Sequence, residues 1–297
     1  MVEISRVGSV VSQLGESPVW ESDEHALYWV DIEGRAIHRF DPSTGQTRSH
    51  DLPGRPGSFA FSQTGGRLVV AMESDLWWLD WESGQLDTFV AVEDPLLGNR
   101  LNDGRCDAAG RYIVGTMHPE PDARLSTGHL YSIDGEGRVS MLESEVGIPN
   151  SIVFDPDRNR MYWADTFAGT IWQWDYDLES GRRSNKSVFF DYNAHRPLKG
   201  LPDGACLDAE GCLWSASVTG WALTRFTPDG AVDQRIELPV SMPTMPAFGG
   251  PDLSTIYVTS LAGGPIDPTR SRGVPAGSLL AVENVGAVGL PEARFAR

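Results

Sequence analysis

The sequence predicts an all-β fold, a six-bladed β-propeller that forms a single domain over residues 1–297. Three observations predict it: one phrase recurs six times, each copy holds short strand-like segments, and turn residues separate those segments. The 32 Gly and 20 Pro residues are spread along the chain rather than clustered, as a fold of many short strands and turns requires.

The recurring phrase is easiest to follow in the apolar strand after each turn, which reads ALYWVD, RLVVAM, RYIVGTM, RMYWAD, CLWSAS and TIYVTS in successive copies. One marker residue in each copy sets the period, and neighbouring markers lie 41 to 52 residues apart: Leu27, Leu68, Tyr112, Met161, Leu213 and Ile256. A regular period of about 45 residues is typical of propeller blades, whereas a two-sheet sandwich does not explain it.

Within each copy the elements follow a constant order. A strand rich in small residues and a turn precede the marker strand, as in SPVWESDEH (17–25) and SIVFDPDRN (151–159). In most copies an aromatic-rich strand follows it, as in DLWWLDWESGQ (75–85) and TIWQWDYDLESGR (170–182). Four short strands in each copy therefore predict one propeller blade for each copy.

The first strand of the chain, residues 3–11, has no place in the first blade. We therefore expect it to complete the last blade, which closes the ring of blades.

The charge of the chain restricts its partners. A formal net charge of −17 opposes binding to nucleic acid or to an anionic membrane, because both partners need a basic surface. No apolar run approaches the roughly 18 residues of a membrane span. The amino-terminal residues MVEISRVGSVVSQLGESP lack the basic and apolar segments of an export signal.

The three cysteines, Cys106, Cys206 and Cys212, are an odd number without the spacing of a metal site. We expect them to be free thiols packed in the strands of a cytoplasmic protein, with a Cys206–Cys212 disulfide as the alternative. For such a protein we expect a monomer or a weak homo-oligomer.

Polar side chains recur at the start of several blades. In a propeller the first strand of each blade lines the central channel, so equal offsets from the marker mean equal heights in that channel. Ten or eleven positions before the marker, four blades carry side-chain oxygens: Glu16, Asn102, Asn150 and Asp203. The second blade has Gly57 and Ser58 at this offset, and the sixth blade has Pro246.

Each of these polar residues could instead serve its local turn, because Asp or Asn before Gly often caps a turn with its own side chain. Glu16 fits that role poorly, and the repeat places all four residues at one level. Two carboxylates and two amide oxygens without histidine or thiolate suit Ca²⁺, Mg²⁺ or Mn²⁺, and Zn²⁺ or Fe²⁺ can compete for such a site. Without a cation the two carboxylates would repel each other. The pattern therefore predicts one divalent metal ion in the channel.

The longest connections of the chain open on the same end of the channel, because the second strand of each blade runs back toward the entrance. They are residues 118–128, 191–201 and 262–277. Loops gathered at one mouth usually carry recognition. Arg100 and Glu120 should reach the rim of this pocket. His118 and His195 lie in these loops as candidate bases or substrate contacts, although a loop histidine is more often only solvated.

Five segments together resemble the SMP-30/gluconolactonase/LRE family: GESPVW (15–20), NRLNDGRCDAAGRYIVGTM (99–117), IPNSIVFD (148–155), LPDGACLDAEGCLW (201–214) and FGGPDLSTIYVTS (248–260). The resemblance covers nearly the whole chain. It implies a six-bladed propeller with one catalytic divalent metal ion, held by Glu16, Asn150 and Asp203. It also implies substrate binding by Arg100, Asn102 and Glu120, although the HPEP segment around Glu120 departs from the acidic pair common in the animal members.

The activity that the resemblance implies is hydrolysis of a sugar lactone (an aldonolactone) to its aldonic acid. The metal ion would act as a Lewis acid and lower the pKa of a bound water, with Asp203 as the general base. Two alternatives stay open: a non-catalytic propeller that binds protein or Ca²⁺, and an organophosphate or aryl-ester hydrolase that uses the same metal site. A pocket built around sugar hydroxyls should reject the latter substrates.

Overall fold

The computed structural model describes residues 1–195, 198–263 and 271–297. The described chain forms six four-stranded antiparallel sheets, which are the six blades of a β-propeller. Among the described residues, one short 3₁₀ turn, Pro95–Leu97, lies between the second and third blades, and another, Pro121–Ala123, lies within the third blade. The predicted fold class is confirmed.

The strands of each blade run outward from the channel in chain order. Blade one consists of β2 (Gly15–Glu21), β3 (Ala26–Asp31), β4 (Ala36–Asp41) and β5 (Gln46–Asp51). Blade two consists of β6 (Pro56–Phe61), β7 (Arg67–Met72), β8 (Asp75–Asp80) and β9 (Leu86–Ala91). Blade three consists of β10 (Arg100–Cys106), β11 (Tyr112–Met117), β12 (Gly128–Ile133) and β13 (Val139–Val146).

The other three blades repeat this order. Blade four consists of β14 (Pro149–Asp155), β15 (Arg160–Asp165), β16 (Thr170–Asp177) and β17 (Arg182–Asp191). Blade five consists of β18 (Leu201–Leu207), β19 (Leu213–Val218), β20 (Ala222–Phe226) and β21 (Val232–Glu237). Blade six consists of β22 (Pro243–Gly249), β23 (Thr255–Ser260), β24 (Ser278–Glu283) and β1 (Glu3–Val11).

The amino-terminal strand closes the ring, as predicted. β1 pairs antiparallel with β24, in a register that places Glu3 opposite Glu283 and Val7 opposite Leu279. The last blade therefore takes its outer strand from one end of the chain and its other three strands from the far end. This pairing joins the two ends of the chain by main-chain hydrogen bonds.

The hydrophobic core lies between neighbouring blades rather than at the centre of the ring. The second strands are buried along almost their whole length, and aromatic side chains fill the space between the sheets. Tyr28, for example, packs edge-on against Phe61 and Trp81 of the next blade. The outer strands are mostly exposed and polar, which suits the last strand of an open sheet.

Two further expectations concern the cysteines and the membrane. Cys106, Cys206 and Cys212 are buried and unpaired, so the Cys206–Cys212 disulfide does not form. Burial raises the pKa of the Cys106 and Cys206 thiols. Within the described residues, no helix has the length and apolar character needed to cross a bilayer.

Candidate metal centre

The first residues of the inner strands meet at one end of the central channel, which we call the upper end. Glu16 is the second residue of β2 and Asn150 the second of β14, while Asn102 and Asp203 are the third residues of β10 and β18. All four side chains are buried. Asn102 and Asp203 lie within strands rather than in turns, so the turn-capping interpretation does not apply to them.

Every inner strand is irregular at this level. The register between the first and second strands shifts in all six blades, for example between Glu16 and Val19 in blade one and between Pro202 and Ala205 in blade five. The residues after Glu16 and Asn150, Ser17 and Ser151, have left-handed backbone with φ of 47° and 53°. Bulges and left-handed residues of this kind re-aim side chains and often accompany functional sites.

The expectation that Pro246 of blade six lies at the height of the four polar residues was wrong. Pro246 pairs with Val258, whereas Thr244 and Met245 lie in the bulge between Pro243 and Pro246, at the height of the four polar residues. The reason is the turn after β22: Phe248 pairs with Ile256 in blade six, while Leu207 pairs with Leu213 in blade five. The longer turn puts more residues between the site level of blade six and its marker, Ile256, so the count from the marker ends too far along the first strand.

Hydrogen bonds fix the two asparagines. Asn102 Nδ2 donates to Asn150 Oδ1 and to the carbonyl oxygen of Pro149, both at 3.0 Å. Asn150 Nδ2 donates to Thr166 Oγ1 at 2.9 Å. Each Oδ1 atom accepts one hydrogen bond, Asn150 Oδ1 from Asn102 and Asn102 Oδ1 from Arg100, and keeps one lone pair for a further partner.

The carboxylates of Glu16 and Asp203 are buried close together. Burial is the main cause that raises the pKa of each group well above its usual value, and the charge of Asp203 raises the pKa of Glu16 further. A third carboxylate, Asp103, acts on both and has its own pKa raised by burial. Three acidic groups therefore share one desolvated volume at the start of the inner strands.

Asp103 is the site residue that the sequence analysis missed. Its Oδ2 accepts the backbone N–H of Ile152 at 3.0 Å, which ties blade three to the bulge of blade four. Its Oδ1 is buried without a hydrogen-bond partner among the described residues. The signal was present in the repeated phrase, since LNDG and LPDG place an acid before the glycine in both copies.

Arg100 supplies the positive charge beside this cluster. Its guanidinium is buried and donates to Asn102 Oδ1 at 2.8 Å and to the carbonyl oxygen of Leu101 at 3.0 Å. Burial, with a smaller contribution from the charge of Arg55, lowers the pKa of Arg100 to about 10. Arg100 therefore stays charged at neutral pH while it orients the Asn102 amide.

Glu120 does not join this cluster. Its side chain is exposed in the loop after β11, and its backbone N–H donates to Nδ1 of His118 at 3.2 Å. His195 stacks on Phe190 with ring centroids 4.5 Å apart, also outside the cluster. Parts of the other two long connections, residues 196–197 and 264–270, lie outside the described residues. Of the six predicted residues, the structure thus brings five together.

The residues of the cluster fit a divalent cation. Three carboxylates in a desolvated volume repel one another, and one carboxylate oxygen of Asp103 has no partner in the described structure. A hard cation would offset this repulsion, and carboxylate and amide oxygens are the ligands that Ca²⁺ and Mg²⁺ prefer. The donor set contains no thiolate or imidazole, so it does not select a soft metal.

A second acidic group lies at the opposite, lower end of the channel. Ligand atoms of Asp208, Glu210 and Cys212 all lie within 4.8 Å of one another. Arg225 already bonds this group, with 2.7 Å between its Nη2 and Asp208 Oδ2 and 2.5 Å between Nη2 and Glu210 Oε2. Because the guanidinium neutralises these acids, the group is explained as an ion-pair network.

Comparison with known proteins shows the family of the chain. The family model described as "SMP-30/Gluconolactonase/LRE-like region" matches residues 14–262. A pentonolactonase of Haloferax volcanii is 37% identical over 298 residues, which cover 98% of this chain and 97% of the relative. A 6-deoxy-6-sulfogluconolactonase of Pseudomonas putida is 39% identical over 251 residues, which cover 84% of each chain.

Among solved structures, a calcium-binding protein described as regucalcin, from Agrobacterium tumefaciens, superimposes with a TM-score of 0.88. It is 28% identical in sequence, and the match covers 98% of this chain and 97% of that protein.

Proposed function

Since the chain belongs to the SMP-30/gluconolactonase/LRE-like family, we propose that it is a metal-dependent lactonase, a carboxylic ester hydrolase that converts a sugar lactone to the aldonic acid. The observation that carries the proposal is the buried group of Glu16, Asn150, Asp203, Asn102 and Arg100 at the upper end of the channel. A purely structural propeller gains nothing from burying acidic side chains close together, because their desolvation and mutual repulsion destabilise the fold.

In this proposal Glu16, Asn150 and Asp203 hold one divalent cation. When bound, the cation supplies Lewis-acid polarisation of the lactone carbonyl and makes a water molecule more acidic. The three ligands come from blades one, four and five, so the ring of blades and not a local motif sets their spacing. Asp103, which fixes the bulge of blade four through Ile152, keeps Asn150 in position.

The reaction needs a group that takes a proton from the attacking water, and Asp203 has the right chemistry. The water oxygen adds to the lactone carbonyl carbon while its proton passes to the Asp203 carboxylate. The ring C–O bond then breaks, and the same carboxyl group returns the proton to the leaving alkoxide. The product is an open-chain hydroxy acid, which ionises at neutral pH, so atoms and charge balance.

Arg100 and Asn102 would orient the substrate. The Arg100 guanidinium carries a permanent positive charge in a desolvated position, where it favours the negative charge that grows on the carbonyl oxygen. The Oδ1 atom of Asn102, which accepts one hydrogen bond from Arg100, keeps a second lone pair that can accept from a sugar hydroxyl. Glu120 would contribute from the exposed loop at the rim.

A panel of substrates tests the proposal. We expect metal-free protein reloaded with Ca²⁺, Mn²⁺, Mg²⁺ or Zn²⁺ to hydrolyse at least one pentono- or hexonolactone, and to lose that activity in chelator. Paraoxon and phenyl acetate should react far more slowly, because they cannot satisfy polar groups placed for sugar hydroxyls. Absence of turnover on every lactone with metal present would favour the non-catalytic alternative. Faster turnover of paraoxon or phenyl acetate would favour the other hydrolase.

A further inference from the structure

The carboxyl-terminal tail, residues 285–297, crosses the lower face of the propeller. At its start, the Ala209 N–H donates to the Val288 carbonyl oxygen and the Gly289 N–H donates to the Leu253 carbonyl oxygen, both at 2.8 Å. At its end, the Ala296 N–H donates to the carbonyl oxygen of Gly110 at 3.0 Å. The tail is therefore attached to blades five and six on one side of the channel and to blade three on the other.

Phe295 is the main anchor of the far end. Its side chain is fully buried, with its ring centroid 5.8 Å from those of both Trp78 and Phe89. Its backbone N–H donates to the carbonyl oxygen of Phe61 at 2.8 Å, and its own carbonyl oxygen accepts the N–H of Gln63 at 2.9 Å. A residue held in this way fixes the path of the segment before it.

The segment between the two attachments, residues 291–294, lies over the lower end of the channel. It forms one wall of a cavity of about 240 Å³. Ser17 and Gly104, which neighbour Glu16 and Asp103 in sequence, line the same cavity. The tail therefore shares a cavity with residues that adjoin the candidate metal centre in sequence.

Three ion pairs connect the tail to the inner strands and to the turn after β2, beside this cavity. Arg105 Nε lies 3.4 Å from Glu292 Oε2, and both side chains are mostly buried. Arg294 pairs with Glu21 and with Asp23 at the end of β2. Arg105 follows Asp103 by two positions on β10, just beyond the bulge that contains Asp103, so the Cα atoms of the two residues lie within about 7 Å of each other.

We propose that Glu292 is a positioning residue of the metal centre: by holding and neutralising Arg105, the tail keeps this arginine from opposing the cation. The proposal rests on the metal site of the proposed function. An unpaired guanidinium on the strand that carries Asn102 and Asp103 would lower the affinity for a divalent cation. The carboxylate of Glu292 removes most of that effect.

The test is the affinity for Mn²⁺, measured by titration calorimetry on the full-length metal-free protein at low salt. We expect Glu292→Gln to weaken Mn²⁺ binding by a factor of about three to ten, because the Arg105 guanidinium then stays unpaired and repels the cation. The melting temperature in chelator should stay the same, which separates the effect from general destabilisation. Glu292→Asp should restore most of the affinity.

Matched variants separate the Arg105 contact from net charge. Asp252→Asn removes one exposed acid from a turn and touches neither Arg105 nor the cavity, so Mn²⁺ affinity should not change. Arg294→Gln removes a positive charge from the same tail segment, so affinity should stay equal or rise. In an Arg105→Gln background, Glu292→Gln should change affinity by less than twofold.

The outcomes distinguish the two proposals. If wild-type protein binds no Mn²⁺, Ca²⁺ or Zn²⁺, the metal site itself is wrong. If wild-type protein binds Mn²⁺ and Glu292→Gln binds it equally well, only the role of Glu292 is overturned. An effect of Asp252→Asn as large as that of Glu292→Gln would likewise reject the contact in favour of net charge.

Discussion

At the scale of single residues, the notable feature is a group of buried acids. Glu16, Asp103 and Asp203 are at most 9% exposed, although acidic side chains are rarely buried without a partner. Arg100 offsets part of the charge on Glu16, and Arg105 offsets part of that on Asp103. The desolvation and mutual repulsion of these carboxylates are explained if the group binds a cation and a substrate, as proposed.

Asp203 is the residue whose substitution tests the proposed chemistry most directly. We expect Asp203→Asn to keep the fold and to lose at least about 100-fold in kcat, because an amide cannot take the proton of the attacking water. The measurement is steady-state hydrolysis of the best lactone at saturating metal, with metal content determined on the same sample. Asp157→Asn, in an exposed turn, should retain wild-type rates. A near-native rate for metal-loaded Asp203→Asn would rule out this residue as the general base.

At the scale of elements, the inner strands repeat in all six blades, and each has a shift of register near its start. The bulge near the start of each first strand lets the side chains at one height face the channel. Neighbouring inner strands are joined at this height, as where Ser58 Oγ donates to the carbonyl oxygen of Asn102 at 2.7 Å. Blade two contributes no ligand, because a side chain at Gly57 would collide with the backbone of Leu101 and Asn102.

The closing strand offers a prediction at this scale. Deletion of residues 2–11 should lower the free energy of unfolding by at least about 3 kcal/mol, because it removes the main-chain hydrogen bonds between β1 and β24. Urea denaturation followed by circular dichroism measures the change. Val11→Ser, at a residue that is 45% exposed, should change stability by less than about 0.5 kcal/mol. Unchanged stability of the deletion variant would show that β1 does not hold the ring closed.

At the scale of the whole molecule, the protein carries a net charge of −17 on a closed ring. Most exposed acids with perturbed pKa values, such as Asp41, Asp80 and Asp177, have them lowered by hydrogen bonds in turns. These acids favour folding at neutral pH and lose that contribution as pH falls. The buried acids of the metal centre have raised pKa values and act in the opposite direction.

The raised pKa values of the buried acids give a prediction for how metal stabilises the protein at different pH. A carboxyl with a raised folded-state pKa stabilises the fold while protonated, and that contribution is lost as pH rises above its ordinary value of 4.5 for Glu16 or 3.8 for Asp203. A bound cation compensates the ionised groups. The increase in melting temperature from chelator to excess Mn²⁺ should therefore grow from pH 5 to pH 8.

The size of the stabilisation by bound metal follows from ligand linkage. At 100 times the dissociation constant, the cation should stabilise the fold by about 2.7 kcal/mol, or several degrees in melting temperature. Differential scanning calorimetry in matched buffers measures it, and taking the difference at each pH cancels the contribution of the surface acids. A difference that is constant or decreases between pH 5 and pH 8 would contradict the buried carboxylates as the binding groups.

The sequence by itself determined the blades, their number and the height of most polar residues. A period of about 45 residues with four strands in each copy leaves few folds other than a propeller, and similar offsets from the marker predict that Glu16, Asn102, Asn150 and Asp203 share one level. It also predicted the closing strand, since residues 3–11 had no partner in the first blade.

Only the tertiary structure decided the details that depend on turns and on contacts between blades. The longer turn after β22 moved the offset in blade six, so Thr244 and Met245 rather than Pro246 share the level of the site. Asp103 became part of the cluster because the bulge admits two neighbouring residues of one strand, and a repeat count gives only one. The crossing of the tail beneath the channel joins segments far apart in sequence, which no local pattern records.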